Sequence, residues 1–125
     1  MRSVLRDRVR ILGIDPGSRL TGFGVVDCHG DEASYVASGS VNSIEGDFPR
    51  RLRMIFRSVG EIVSAHQPDV VAIESVFMHR NPSSALKLGH ARSAAICATF
   101  ELDVEVVEYA PREIKQAIVG SGAAS

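Results

Sequence analysis

The sequence predicts an α/β fold: a mixed sheet of three antiparallel strands, then parallel strands, flanked by helices. Three observations carry this. Residues 9–15, 21–28 and 33–41 are short β-branched and aliphatic runs separated by turn-forming residues. Apolar residues then recur at helical spacing through Leu52, Ile55, Phe56, Val59, Ile62 and Val63. Two further short apolar runs, 69–74 and 104–109, alternate with helical segments, as a parallel sheet with crossover connections requires. At 125 residues and 45% hydrophobic content, the chain can bury one core.

Residues 1–8 are charged and read as an extension ahead of the first strand. Residues 9–119 form one domain and the Gly/Ala/Ser segment 120–125 a flexible end. Strand 9–15 is apolar enough to be buried on both faces and stops at Asp15. Pro16-Gly17 fits a type II turn, with proline setting φ and glycine taking positive φ. Strand 21–28 follows, with Gly22 and Gly24 leaving space above the sheet beside Asp15. His29-Gly30-Asp31-Glu32 is the hairpin turn to strand 33–41, and residues 42–48 are a polar loop.

An amphipathic helix is expected over 49–66, its outer face carrying Arg50, Arg53, Arg57 and Glu61, with Pro68 ending it. Strand 69–74 ends in Glu74. Asn81 then caps a helix with Pro82 at its first position, running to about residue 100. Its small residues (Gly89, Ala91, Ser93, Ala94, Ala95, Cys97, Ala98) allow close approach of another element or of a second subunit. Strand 104–109 precedes a short helix from Pro111 to about residue 119. The strand at 69–74 should lie beside the first strand and parallel to it, bringing Asp15 and Glu74 to one edge of the sheet.

Composition removes several classes of function. With 14 basic and 15 acidic residues the chain has a net charge of −1, so it is no uniformly basic nucleic-acid binder. Basic residues do cluster, as Arg50, Arg51, Arg53 and Arg57, then Arg80, Lys87 and Arg92, then Arg112 and Lys115. Cys28 and Cys97 share no metal-ligand spacing and read as reduced thiols of a cytoplasmic protein. No apolar run approaches the roughly 20 residues a bilayer requires, so no membrane association is expected.

Two carboxylates near each other are unfavourable unless a cation or proton neutralises them. Mg²⁺ or Mn²⁺ does this with oxygen ligands and can stabilise both oxygens of an in-line phosphoryl displacement. Taken alone, Asp15 is equally well a turn residue before Pro-Gly. Glu74, directly after four apolar residues, is costly without a partner. The pair favours a metal site, although such sites normally take three or four acidic ligands. The remaining acids, Asp69, Glu101, Asp103, Glu105, Glu108 and Glu113, read as solvated faces or caps.

Three motifs in order resemble the RuvC-type Holliday-junction resolvases. The first is Ile14-Asp15-Pro16-Gly17-Ser18 with Thr21-Gly22-Phe23-Gly24. The second is Ile73-Glu74-Ser75-Val76-Phe77-Met78 leading into Asn81-Pro82-Ser83-Ser84-Ala85-Leu86-Lys87-Leu88-Gly89-His90-Ala91-Arg92. The third is Glu108-Tyr109-Ala110-Pro111-Arg112-Glu113-Ile114-Lys115-Gln116-Ala117-Ile118-Val119-Gly120. The resemblance implies an RNase H-like fold, a homodimer, and Mg²⁺-dependent symmetric nicking of four-way DNA junctions, with Mn²⁺ as a substitute ion. It also implies partnership with a branch-migration motor of the RuvA–RuvB type.

By the same resemblance, Asp15 and Glu74 are catalytic metal ligands and Lys115 sits beside the scissile phosphate. Phe77 stacks on bases at the crossover, and Arg80, Lys87 and Arg92 contact phosphates. From the residues alone, a solvated lysine on a short helix is the favoured reading of Lys115, while Phe77 is equally a loop side chain packed on the core and the three basic residues equally a solvated face. In the family a further basic residue and a later helix with two more aspartates complete the site. The sequence reaches Ser125 before any of these. The expectation is therefore a C-terminally shortened resolvase with an incomplete metal site. Its alternative function is that of a non-catalytic dimerising fragment that binds junctions without cutting. An actin-like or sugar-kinase phosphotransferase would need a second lobe, and the Phe77 loop with the Ser84–Gly89 motif disfavours the RNA-directed sister group.

Overall fold

In a computed structural model, residues 8–43, 46–75 and 81–109 are described. They form β1 (Arg8–Asp15), β2 (Leu20–His29), β3 (Glu32–Asn42), α1 (Phe48–His66), β4 (Val70–Glu74), α2 (Pro82–Cys97) and β5 (Glu105–Tyr109). The five strands make one sheet in the order β3-β2-β1-β4-β5. β1 runs antiparallel to β2, and β2 to β3, whereas β4 is parallel to both β1 and β5. This is the mixed RNase H-like sheet expected from the sequence.

Alternation along the strands divides the sheet into two unlike faces. One face presents Leu12, Ile14, Val25, Val71 and Ile73 to Ile55, Val59 and Val63 of α1 and to Ala91, Ala95 and Ala98 at the end of α2. The alanines lie at spacings of four and three along one side of α2, so the two helices can approach closely over the sheet. Of the small residues of α2, Ala91, Ala95 and Ala98 thus serve packing within the chain, whereas Gly89, Ser93 and Cys97 are exposed. No helix among the described residues is long and apolar enough to cross a membrane.

The helix starts follow from local chemistry. Asp47 caps α1, its carboxylate accepting the Arg50 amide at 3.0 Å. Asn81 caps α2 as expected, its side-chain oxygen accepting the amides of Ser83 at 2.8 Å and Ser84 at 3.4 Å. α1 stops at Gln67, which takes the left-handed conformation (φ 49°) and donates its amide to the Val63 carbonyl, with Pro68 directly after it.

Several boundaries differ from expectation. Arg8 already belongs to β1, and Phe48 opens α1 one residue early because Asp47, not a residue further on, supplies the cap. Pairing of His29 with Glu32 reduces the hairpin turn to Gly30-Asp31, with Gly30 at φ 59°. Asn42 extends β3 by pairing with Leu20. α2 ends at Cys97 rather than near residue 100, where the backbone tightens into turns. A register shift sets Val25 opposite Ala37 but Val26 opposite Tyr35, leaving Val36 as the extra residue of a bulge. The expected helix after Pro111 and the flexible end lie outside the described residues.

The Pro16-Gly17 turn is also not type II, because Gly17 does not take positive φ. Glycine is required there for a different reason. A β-carbon at this position would run into the backbone carbonyl oxygen of Leu20. The chain leaving β1 folds back tightly enough that only a hydrogen fits.

Candidate active site at the tips of two parallel strands

Asp15 and Glu74 owe their position to strand register. In the parallel ladder Ile11 pairs with Val70, Leu12 with Val71, Gly13 with Ala72 and Ile14 with Ile73. The next residue on each strand is an acid. Because Ile14 and Ile73 both enter the core, Asp15 and Glu74 both belong to the opposite face, at the same end of adjacent strands. Asp15 is exposed, while Glu74 is buried at 7% relative exposure. Among the described residues, no group of three or more His, Cys, Asp or Glu side chains is arranged to hold a metal.

The surroundings of the pair are small. Asp15 stands opposite Gly22 on β2, and Gly13 opposite Gly24. A β-carbon added at Gly22 would meet no atom of the described residues within 4 Å, so among those residues the space beside Asp15 expected from the sequence is open. On the other side Glu74 pairs with Tyr109 of β5, and the Ser75 amide donates to the Tyr109 carbonyl at 2.7 Å. Glu74 is thus held on its β5 side to the end of the strand, while the ladder to β1 ends one residue earlier at Ile73.

The loop from Pro16 to Arg19 is tied down from three directions. Thr21, fully buried, accepts the Gly17 amide and donates to the Gly17 carbonyl through one hydroxyl (3.4 and 3.3 Å). Buried Ser43 donates both its amide (2.8 Å) and its hydroxyl (3.2 Å) to the Arg19 carbonyl. Arg51 of α1 donates Nη2 to the Ser18 carbonyl at 2.7 Å and Nε to the Ser43 carbonyl at 2.9 Å. Its guanidinium also lies over the Phe48 ring, 5.2 Å from the centroid, within cation–π range.

The basic cluster therefore divides. Arg50, Arg53 and Arg57 are exposed along α1, whereas Arg51 is half-buried and bound to backbone. Sequence reasoning grouped these four together and read Phe48 as loop. One signal did separate Arg51: it precedes Ile55 by one helical turn and so lies on the apolar stripe. A cation on that stripe needs acceptors within the fold.

Of the other expected site residues, Lys87 is exposed on α2, with Nζ 5.9 Å from the Phe48 ring centroid. The same ring meets His90 edge-on at 6.0 Å. Arg92 forms an ion pair with Glu108 of β5, which links α2 to that strand and gives Glu108 a role beyond a solvated face. Phe77, Arg80 and Lys115 lie outside the described residues.

At the opposite end of β1, Arg10 joins three elements and the turn before β4. Its guanidinium donates to both carboxylate oxygens of Asp27 on β2 (2.8 and 3.0 Å) and to the His66 carbonyl at the end of α1 (2.9 Å). Its amide donates to the Asp69 carboxylate at 2.8 Å, just before β4. The hydrogen bonds from Arg10 hold the Asp27 carboxyl below its ordinary pKa, against the opposing effect of burial.

Comparison with known proteins agrees with this geometry. The family described as "Crossover junction endodeoxyribonuclease RuvC" matches residues 11–125. The chain is 55% identical over 115 residues to the crossover junction endodeoxyribonuclease RuvC of Alkalilimnicola ehrlichii, covering 92% of this chain and 70% of that protein. It is 54% identical to that of Serratia proteamaculans, covering 91% of this chain and 66% of that protein. The chain thus spans about two-thirds of the length of these relatives. Among solved structures, Thermus thermophilus RuvC in complex with a Holliday junction substrate superposes with a TM-score of 0.76 at 32% identity, covering 86% of this chain and 68% of that one. Register, paired acids and similarity along nearly the whole sequence agree, and this chain belongs to the RuvC family of crossover junction endodeoxyribonucleases.

Proposed function

We propose that the protein is a structure-selective endonuclease of DNA recombination and repair, nicking four-way junctions symmetrically by metal-assisted phosphodiester hydrolysis. The observation that carries this reading is the register Ile14–Ile73, which sets Asp15 and Glu74 side by side at one end of the sheet. The Thermus relative was solved with a Holliday junction, and the same class of substrate is proposed here.

Two carboxylates, one buried, form an all-oxygen donor set that fits a hard divalent cation, Mg²⁺ or in its place Mn²⁺. When bound, such an ion supplies positive charge at a phosphoryl oxygen and at the attacking water. The residues of the chain do the rest. Glu74, its backbone paired with Tyr109 of β5, would offer its carboxylate oxygens to the ion. Asp15, exposed beside the space at Gly22, offers its oxygens where a DNA backbone can approach. Lys115 would sit beside the scissile phosphate and Phe77 would stack on unpaired bases, a contact worth ~1–3 kcal/mol per base. Arg80 and Lys87 would bind phosphates, with affinity that falls as salt rises. Arg92 would do the same by exchanging Glu108 for a phosphate.

The active form is proposed to be a homodimer, because symmetric nicking of a two-fold junction calls for two equivalent sites. A branch-migration motor of the RuvA–RuvB type and a cytoplasmic location belong to the same reading. The test is nicking of a labelled four-way junction in Mg²⁺ by the protein and by Asp15→Asn and Glu74→Gln. Both substitutions should abolish nicking and leave junction binding intact. Unchanged nicking in either variant would remove that residue from the metal site.

A further inference from the structure

We infer that Arg51 is a positioning residue for Asp15, acting through the loop that carries the chain away from the carboxylate. The inference rests on the metal-site reading of Asp15 and extends it to a side chain on a different element. Asp15 is the last residue of β1, so its backbone is fixed on one side by the ladder to Gly22. On the other side its position depends on residues 16–19, which belong to no strand.

Arg51 is the long-range tie on that segment from a helix. Its fork geometry lets one guanidinium grip the Ser18 carbonyl before β2 and the Ser43 carbonyl after β3 at the same time. Ser43 in turn donates to the Arg19 carbonyl, so Arg51, Ser43 and the loop form a closed set of hydrogen bonds. The Phe48 ring beneath the guanidinium limits where it can move. A cation ligand is useful only when held near its bonding position, and groups that orient ligands from behind affect metal affinity accordingly. Lysine cannot replace this arginine fully, since an ammonium has no planar fork with which to span two carbonyls.

Binding of Mn²⁺ to the DNA-free protein, followed by water-proton relaxation, tests this without recourse to nicking. Arg51→Lys and Arg51→Gln should weaken Mn²⁺ binding on the order of 10-fold, the lysine variant less than the glutamine one. The double variant Asp15→Asn/Arg51→Gln should bind no more weakly than Asp15→Asn alone, which a merely structural role of Arg51 would not produce. Arg51 variants with unchanged Mn²⁺ affinity, beside an Asp15→Asn that loses it, would overturn the inference and leave the metal site standing. An Asp15→Asn variant with undiminished affinity would instead overturn the metal-site reading, and the inference with it. If Arg51→Gln does not fold, Arg51→Lys decides: weaker Mn²⁺ binding than in the parent supports the tie, and unchanged binding overturns it.

Discussion

Asp15 stands directly across the antiparallel ladder from Gly22, and the direction in which Gly22 would carry a side chain is open space among the described residues. That emptiness belongs to the same face of the sheet as the two carboxylates. The other nearby glycine, Gly17, is hemmed in by the Leu20 carbonyl. The two glycines flank the site for opposite reasons, and substitution should separate them.

Gly22→Ala should fold normally and gain about 0.5 kcal/mol, because alanine has less freedom to lose on folding and meets no atom of the described residues here. Gly17→Ala should lose about 2 kcal/mol, since its methyl group would meet backbone that cannot rotate aside. Thermal or urea unfolding of the two variants checks both signs. Gly22→Leu should fold yet impair nicking by filling the space beside Asp15. Full activity of that variant would show that substrate does not use the space.

A divalent cation bound to the native state should raise the thermal midpoint. At a concentration 100 times its dissociation constant, a ligand adds roughly 2.7 kcal/mol of stability. Differential scanning calorimetry in Mg²⁺ or Mn²⁺ should show this increment in the parent protein and its loss in Asp15→Asn and in Glu74→Gln. An equal rise in all three would place the bound ion elsewhere.

The Arg10–Asp27 pair sets a pH dependence at the far end of β1. The Asp27 carboxyl is held below its ordinary pKa mainly by hydrogen bonds from Arg10. Its contribution is therefore complete above the unfolded aspartate pKa of about 3.9, and it is lost as pH falls through the lower folded value. Asp27→Asn should cost about 1–2 kcal/mol at neutral pH, and stability of the variant should fall less steeply with acidification below about pH 4. Unfolding curves between neutral and acid pH give both quantities. Parallel pH profiles for the two proteins would contradict the assignment.

Much of the architecture was legible along the chain because its signals are local. Alternating and continuous apolar runs gave the five strands, helical spacing from Leu52 to Val63 gave α1, and Asn81-Pro82 announced the start of α2. Each depends on neighbours a few residues away. The boundaries that moved, at Asn42, Phe48 and Cys97, are places where a cross-strand partner, a cap or a tightening turn decides, and spacing does not report these. Gly17 was correctly marked as special, but on a torsion argument, when the cause is contact with Leu20.

By itself the sequence singled out the candidates for chemistry: two acids, each ending an apolar strand, within motifs of one family. Only the tertiary structure decided that those acids are neighbours, because adjacency depends on β1 and β4 pairing in parallel with Ile14 level with Ile73. The same holds for the arginines of α1, which look alike in sequence. Arg51 becomes a tie rather than a solvated charge because the fold brings two backbone carbonyls, from segments 33 and 8 residues away, within reach of one guanidinium.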